Sequence, residues 1–149
     1  MILLELFDKP YPWRRGDPRD LSEKPTNAYF TTDDGSLVAV AIEIQAVPGS
    51  GPRVYIAFDR RHISQQRPSY EVTGEGDPYR IFATVAEIII ATAKEHDPTS
   101  IGFSADEESR IKLYRRMSPI LARKLNMDLT VESAGGDSMY FKFTKKARS

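Results

Sequence analysis

Gly74 and Gly76 stand two residues apart in Ser69-Tyr70-Glu71-Val72-Thr73-Gly74-Glu75-Gly76-Asp77-Pro78-Tyr79-Arg80, where a strand-like run meets an apolar, helix-like one. Glycines in such a turn let backbone N–H groups face outward, and the helix that follows aims its partial positive end at the same point. The chemistry this suits is anion binding, a phosphate or pyrophosphate held by amides without any charged side chain. A Gly-x-Gly before a helix also serves as a plain strand-to-helix turn.

Other reactive residue types lack a working spacing. His62 and His96 are far apart in sequence, so no metal is assigned, and the absence of cysteine excludes disulfides, thiolate metal sites and cysteine nucleophiles. Ser104, Ser109 and Ser118 have no partners that spacing would identify as a triad. Arg60, Arg61 and Arg67 with Tyr70 suit a local phosphate or RNA contact, while Arg110, Lys112, Arg115, Arg116, Arg123 and Lys124 make a basic helix surface of the kind that is usually a solvated face.

The elements that must position the turn follow from periodicity. Pro10, Pro12, Pro18 and Pro25 rule out a helix from Leu6 to Thr26, leaving an extended arm that packs on the body, with Trp13, between Tyr11 and the arginines, as an anchor onto the body or onto a partner. From Ala28 the pattern has period two: Ala28 to Thr32, a turn at Asp33-Asp34-Gly35-Ser36, Leu37 to Gln45 with Val38, Val40, Ile42 and Ile44 on the core face, then a strand around Val54, Ile56 and Phe58. A strand centred on Tyr70 and Val72 leads into the glycines. Asp77 caps a helix with Pro78 in its first position and Ile81, Phe82, Val85, Ile88 and Ile89 at helical spacing to about Lys94. Thr99 to Ser104 reads as a buried strand parallel to its predecessor, completing a βαβ unit. Ser104 to Asn126 reads as a second helix with Tyr114, Met117, Leu121 and Leu125 inward and Asn126 as a left-handed stop. A hairpin of Leu129 to Glu132 and Met139 to Thr144 ends the sheet. The expectation is one α+β domain over residues 28–149, a mostly antiparallel mixed sheet with one βαβ unit and two main helices, preceded by the arm of residues 1–27.

With 149 residues, 40% of them hydrophobic and 28% charged, the chain has the composition of an ordinary globular protein. Its 21 basic and 21 acidic residues cancel, so no global field draws it to nucleic acid and any anion site is local. No apolar run approaches membrane-spanning length, and Met1-Ile2-Leu3-Leu4-Glu5 lacks the features of a secretory signal, so a cytoplasmic protein is expected.

The order of elements resembles the GNAT superfamily of N-acyltransferases. Glu71-Val72-Thr73-Gly74-Glu75-Gly76 falls where that family carries its Gln/Arg-x-x-Gly-x-Gly/Ala pyrophosphate loop. Ile101-Gly102-Phe103-Ser104 followed by Glu107-Glu108-Ser109-Arg110-Ile111-Lys112-Leu113-Tyr114 matches in part its strand and Asn-x-x-Ala-x-x-Leu-Tyr helix start. The Phe7-Asp8-Lys9-Pro10-Tyr11-Pro12-Trp13 opening and the Phe103 to Tyr114 stretch also resemble small bacteriophage acyltransferase-like proteins.

The resemblance implies an acetyl- or acyl-CoA cofactor held by Val72, Thr73, Gly74, Glu75, Gly76 and Asp77, with Tyr114 as the acid that protonates the CoA thiolate. Glu71 or Asp59 then becomes the base that deprotonates an amine of a host protein or metabolite. The sequence departs from the family pattern. Glu71 replaces the basic or amide residue that opens the loop, Glu75 and Asp77 add carboxylates beside it, and Glu107 and Arg110 replace the usual Asn and Ala. The two helices that usually build the acceptor side are replaced by the Pro-rich arm. The alternative is a catalytically inactive GNAT-like protein that binds a host or virion partner in the host cytoplasm or the virion.

Overall fold

The change from period two to helical period after Pro78 is realised in the computed structural model, which describes residues 9–16, 26–61, 68–69, 78–105 and 108–146. Those residues form a mixed α+β protein: β1 (Trp13–Arg15), β2 (Ala28–Thr31), β3 (Leu37–Gln45), β4 (Arg53–Arg61), β5 (Pro68–Ser69), α1 (Pro78–His96), β6 (Ser100–Ala105), α2 (Glu108–Leu125), β7 (Met127–Ser133) and β8 (Met139–Lys145). The sheet is mostly antiparallel, and β4 with β6 is its parallel joint. Neither helix is long and apolar enough to cross a membrane. The chain divides into two compact units, Met1–Ile42 with Ala57–Ile89 and Glu43–Ile56 with Ile90–Ser149.

In the first unit the strands run in the order β1-β2-β3-β4, with β5 paired to β4. The β2–β3 hairpin has the expected register, Ala28↔Val40 to Thr31↔Leu37. Its turn closes because Gly35 adopts a φ of 82°, a conformation costly for a residue with a Cβ, and because Ser36 donates its amide to Asp34 Oδ1 at 3.1 Å. Phe30, Val38 and Val40 are fully buried on one face, as period two requires. Within α1, Phe82, Ala83, Thr84, Val85 and Ala86 are buried in succession, so this part of the helix is enclosed on nearly every side.

The arm does contribute a strand, since Trp13 pairs with Phe30 and Arg15 with Ala28. Trp13 is half-buried, and its indole N–H donates to Glu87 at 3.1 Å. The deeper anchor is Tyr11, only 3% exposed, whose ring stacks on Phe30 at 5.8 Å. Its amide donates to Thr84 Oγ1 at 2.8 Å, and the same hydroxyl donates to the Arg80 carbonyl, so a buried polar group in α1 is satisfied from both directions.

In the second unit the order is β3-β4-β6-β8-β7. The parallel register runs from Arg53↔Ser100 to Tyr55↔Gly102, while β8 pairs with all six residues of β6 on its other side. Two expectations are corrected here. The parallel partner of β6 is β4, not a strand at Tyr70 and Val72, and residues 70–72 lie outside the described residues. The second helix starts at Glu108 instead of Ser104, because Ser104 and Ala105 extend β6 opposite Tyr140 and Met139. Asn126 ends α2 with a φ of 56°, as anticipated, and Asp97 ends α1 in the same left-handed way with a φ of 46°. Ile101, Phe103, Met117, Leu121, Phe141 and Phe143 are the buried centre of this unit. Each such side chain contributes about 1.5–3 kcal/mol by leaving water.

Candidate functional site

The residues expected to hold an anion, Val72, Thr73, Gly74, Glu75, Gly76 and Asp77, lie outside the described residues, as do the base candidate Glu71 and the Arg67 and Tyr70 of the basic patch. The backbone of the other base candidate, Asp59, belongs to β4, and its side chain is outside the description. What the structure does describe is the frame around the loop. β4 precedes it, α1 follows it from Pro78, and β6 returns parallel to β4.

Arg80 sits in the first turn of α1 and ties three distant segments together. Its guanidinium lies 3.9 Å from the Tyr11 ring centroid, its Nε donates to the Lys9 carbonyl at 2.8 Å, and its Nη1 reaches Asp33 Oδ2 at 3.3 Å. Cation–π contact, hydrogen bond and ion pair together fix a positive charge beside the helix start. Sequence reasoning missed this role because the partners are 47 to 71 residues away, and no local pattern marks them.

Tyr114, the acid candidate, is 4% exposed on the inner face of α2. Its ring meets Phe103 edge-on at 5.5 Å and Phe141 at 6.0 Å, while Phe103 and Phe141 stack at 5.3 Å. Such edge-to-face and offset pairs favour a fixed ring orientation. The tyrosine is therefore held firmly at the junction of β6, β8 and α2.

On the opposite face of β6, Tyr140 lies across Gly102. Burial, and then the charges of Tyr55 and Glu132, raise its phenol above the ordinary value. The second-helix basic surface is as expected where described, with Lys112, Arg115, Arg116, Arg123 and Lys124 exposed. His96 lies 3.9 Å from Glu95, and no group of metal-ligating side chains forms among the described residues.

The model of the family of unknown function DUF6934 matches residues 26–148, which hold both helices and every described strand except β1. A comparison with curated proteins gives no match.

Proposed function

We propose that this chain, which belongs to the family of unknown function DUF6934, is a GNAT-like N-acyltransferase that uses acetyl-CoA or another acyl-CoA. The observation that carries the reading is the parallel joint. A strand, the Gly74 to Gly76 segment, a long helix and a strand parallel to the first follow one another along the chain, an order that suits an anion held at a helix N-terminus. The strand orders β1-β2-β3-β4 and β4-β6-β8-β7 support the same resemblance.

In this reading the loop amides from Val72 to Asp77 hold the cofactor pyrophosphate. Glu71 or Asp59 takes a proton from an ammonium acceptor, and the amine nitrogen attacks the thioester carbonyl carbon. The carbon–sulfur bond then breaks, the departing thiolate takes the Tyr114 proton, and the extra proton on the acylated nitrogen passes to the tyrosinate, giving an amide and free CoA. A phage origin and a host-protein acceptor belong to the same reading and rest on the Phe7 to Trp13 and Phe103 to Tyr114 stretches.

The test is a calorimetric titration with acetyl-CoA of the protein and of Gly76→Glu, which places a carboxylate in the cradle. Micromolar binding that the variant loses is the expected result. No heat at millimolar ligand sinks the enzyme reading. That outcome favours the inactive, partner-binding alternative, which the loop carboxylates Glu75 and Asp77 and the burial of Tyr114 support.

A further inference from the structure

The sheet of the second unit has a covered face and an open one. Tyr114 of α2 meets Phe103 and Phe141, so α2 lies on the face that buries Ile101, Phe103, Phe141 and Phe143. Alternation puts Tyr55 of β4, Gly102 of β6, and Tyr140 and Lys142 of β8 on the other face. Register fixes their places. Tyr55 is opposite Gly102, Gly102 is opposite Lys142, and Lys142 is opposite Thr130 of β7. Tyr140 stands one row along, between Ser104 and Glu132, and its hydroxyl end reaches back over Gly102. Because Gly102 has no side chain, the Tyr140 ring lies low along the sheet, close enough to Tyr55 for that phenol to raise the Tyr140 pKa. Two half-buried phenols thus share one floor with the exposed Ser104, Thr130 and Glu132.

The charges on this face are mixed. Arg53 and Lys142 are its cations, Asp128 and Glu132 its carboxylates, and Glu43 is exposed on the neighbouring β3. Among the described residues, no hydrogen bond or ion pair joins Arg53, Lys142, Asp128 and Glu132 to one another. Donors and acceptors therefore stand side by side around the two rings, each free to meet a ligand. A polyanion would be repelled by the carboxylates, and an apolar partner would bury unpaired charges of both signs. An uncharged sugar avoids both costs. Its C–H face stacks on an aromatic ring, while its hydroxyls donate to carboxylates and accept from ammonium and guanidinium groups.

We propose that the open face of β4, β6, β8 and β7 binds an uncharged oligosaccharide, with sugar rings stacked on Tyr55 and Tyr140 and hydroxyls bonded to Arg53, Lys142 and Glu132. No residue of this site is assigned to acyl transfer, so each is tested without the other.

The experiment screens the full-length protein on an array of neutral, sialylated and sulfated glycans, then titrates the strongest neutral binder by calorimetry and by backbone amide NMR. Binding of neutral glycans is expected, with shifts concentrated at Tyr55, Gly102, Glu132 and Lys142 and with the same affinity at low and high salt. Tyr55→Leu keeps the bulk and removes the ring, and is expected to weaken binding roughly fivefold or more, whereas Tyr55→Trp should retain it. The thermal midpoint reports whether each variant folds, and the shift map of the unaltered protein locates the site if one does not. No glycan bound, binding confined to the charged glycans, shifts away from the open face, or equal affinity in folded Tyr55→Leu would overturn the proposal.

Discussion

Tyr140 covers Gly102 so closely that a Cβ built on the glycine would stand 2.5 Å from Tyr140 Cζ. The two lie on adjacent strands, with Gly102 opposite Lys142 and Tyr140 opposite Ser104, so the ring reaches diagonally along the sheet face. The missing side chain is what admits the ring.

Gly102→Ala is therefore expected to displace Tyr140 and destabilise the protein by about 1–2 kcal/mol, measured by urea unfolding. In a Tyr140→Ala background the same substitution should cost little, and the double-mutant cycle measures the difference. Equal costs in both backgrounds would mean that the ring is not the obstacle.

Raising the Tyr140 pKa has a signed consequence for stability. Its folded value lies above the ordinary 10.0, through burial first and then the charges of Tyr55 and Glu132. The folded state thus holds the phenolic proton more tightly than the unfolded state does. The associated stability is complete below 10.0 and is lost as pH rises through the folded value. Between 10.0 and the folded value, wild-type protein should lose stability faster with rising pH than Tyr140→Phe, and parallel unfolding curves for the two would refute the link.

Ser118 is fully buried in α2, and its hydroxyl has no hydrogen-bond partner among the described residues. Pro119, the next residue, supplies no amide to the turn. A buried hydroxyl without a partner costs desolvation energy that Ala does not incur. Ser118→Ala is expected to raise stability by about 1 kcal/mol, readable as an increased thermal midpoint. A loss of that size would reveal a partner, such as a bound water.

Tyr114→Phe separates packing from chemistry. The ring contacts with Phe103 and Phe141 survive the substitution, so stability should change by less than about 1 kcal/mol. Under the proposed acyl transfer, loss of the acid should lower turnover at least roughly a hundredfold, with acetyl-CoA affinity retained. Unchanged turnover would restrict Tyr114 to packing.

Much of the chain was legible from local pattern. The turn at Asp33 to Ser36, the period-two run of Val38, Val40 and Ile42, the stop at Asn126 and the closing hairpin all follow from interactions between residues near in sequence. Glycines fix turns, and alternation fixes a buried face, before any distant contact forms. Proline content likewise marked residues 1–27 as non-helical, and β1 lies there.

Tertiary structure decided the pairings that join distant segments. Nothing in Ser100 to Gly102 names Arg53 to Tyr55 as the parallel partner, because strand order depends on which faces are covered once α1 packs. Trp13 drew attention as the arm's anchor by its size, yet Tyr11 is the buried one, held by Thr84 and by Arg80, whose helix begins more than sixty residues later.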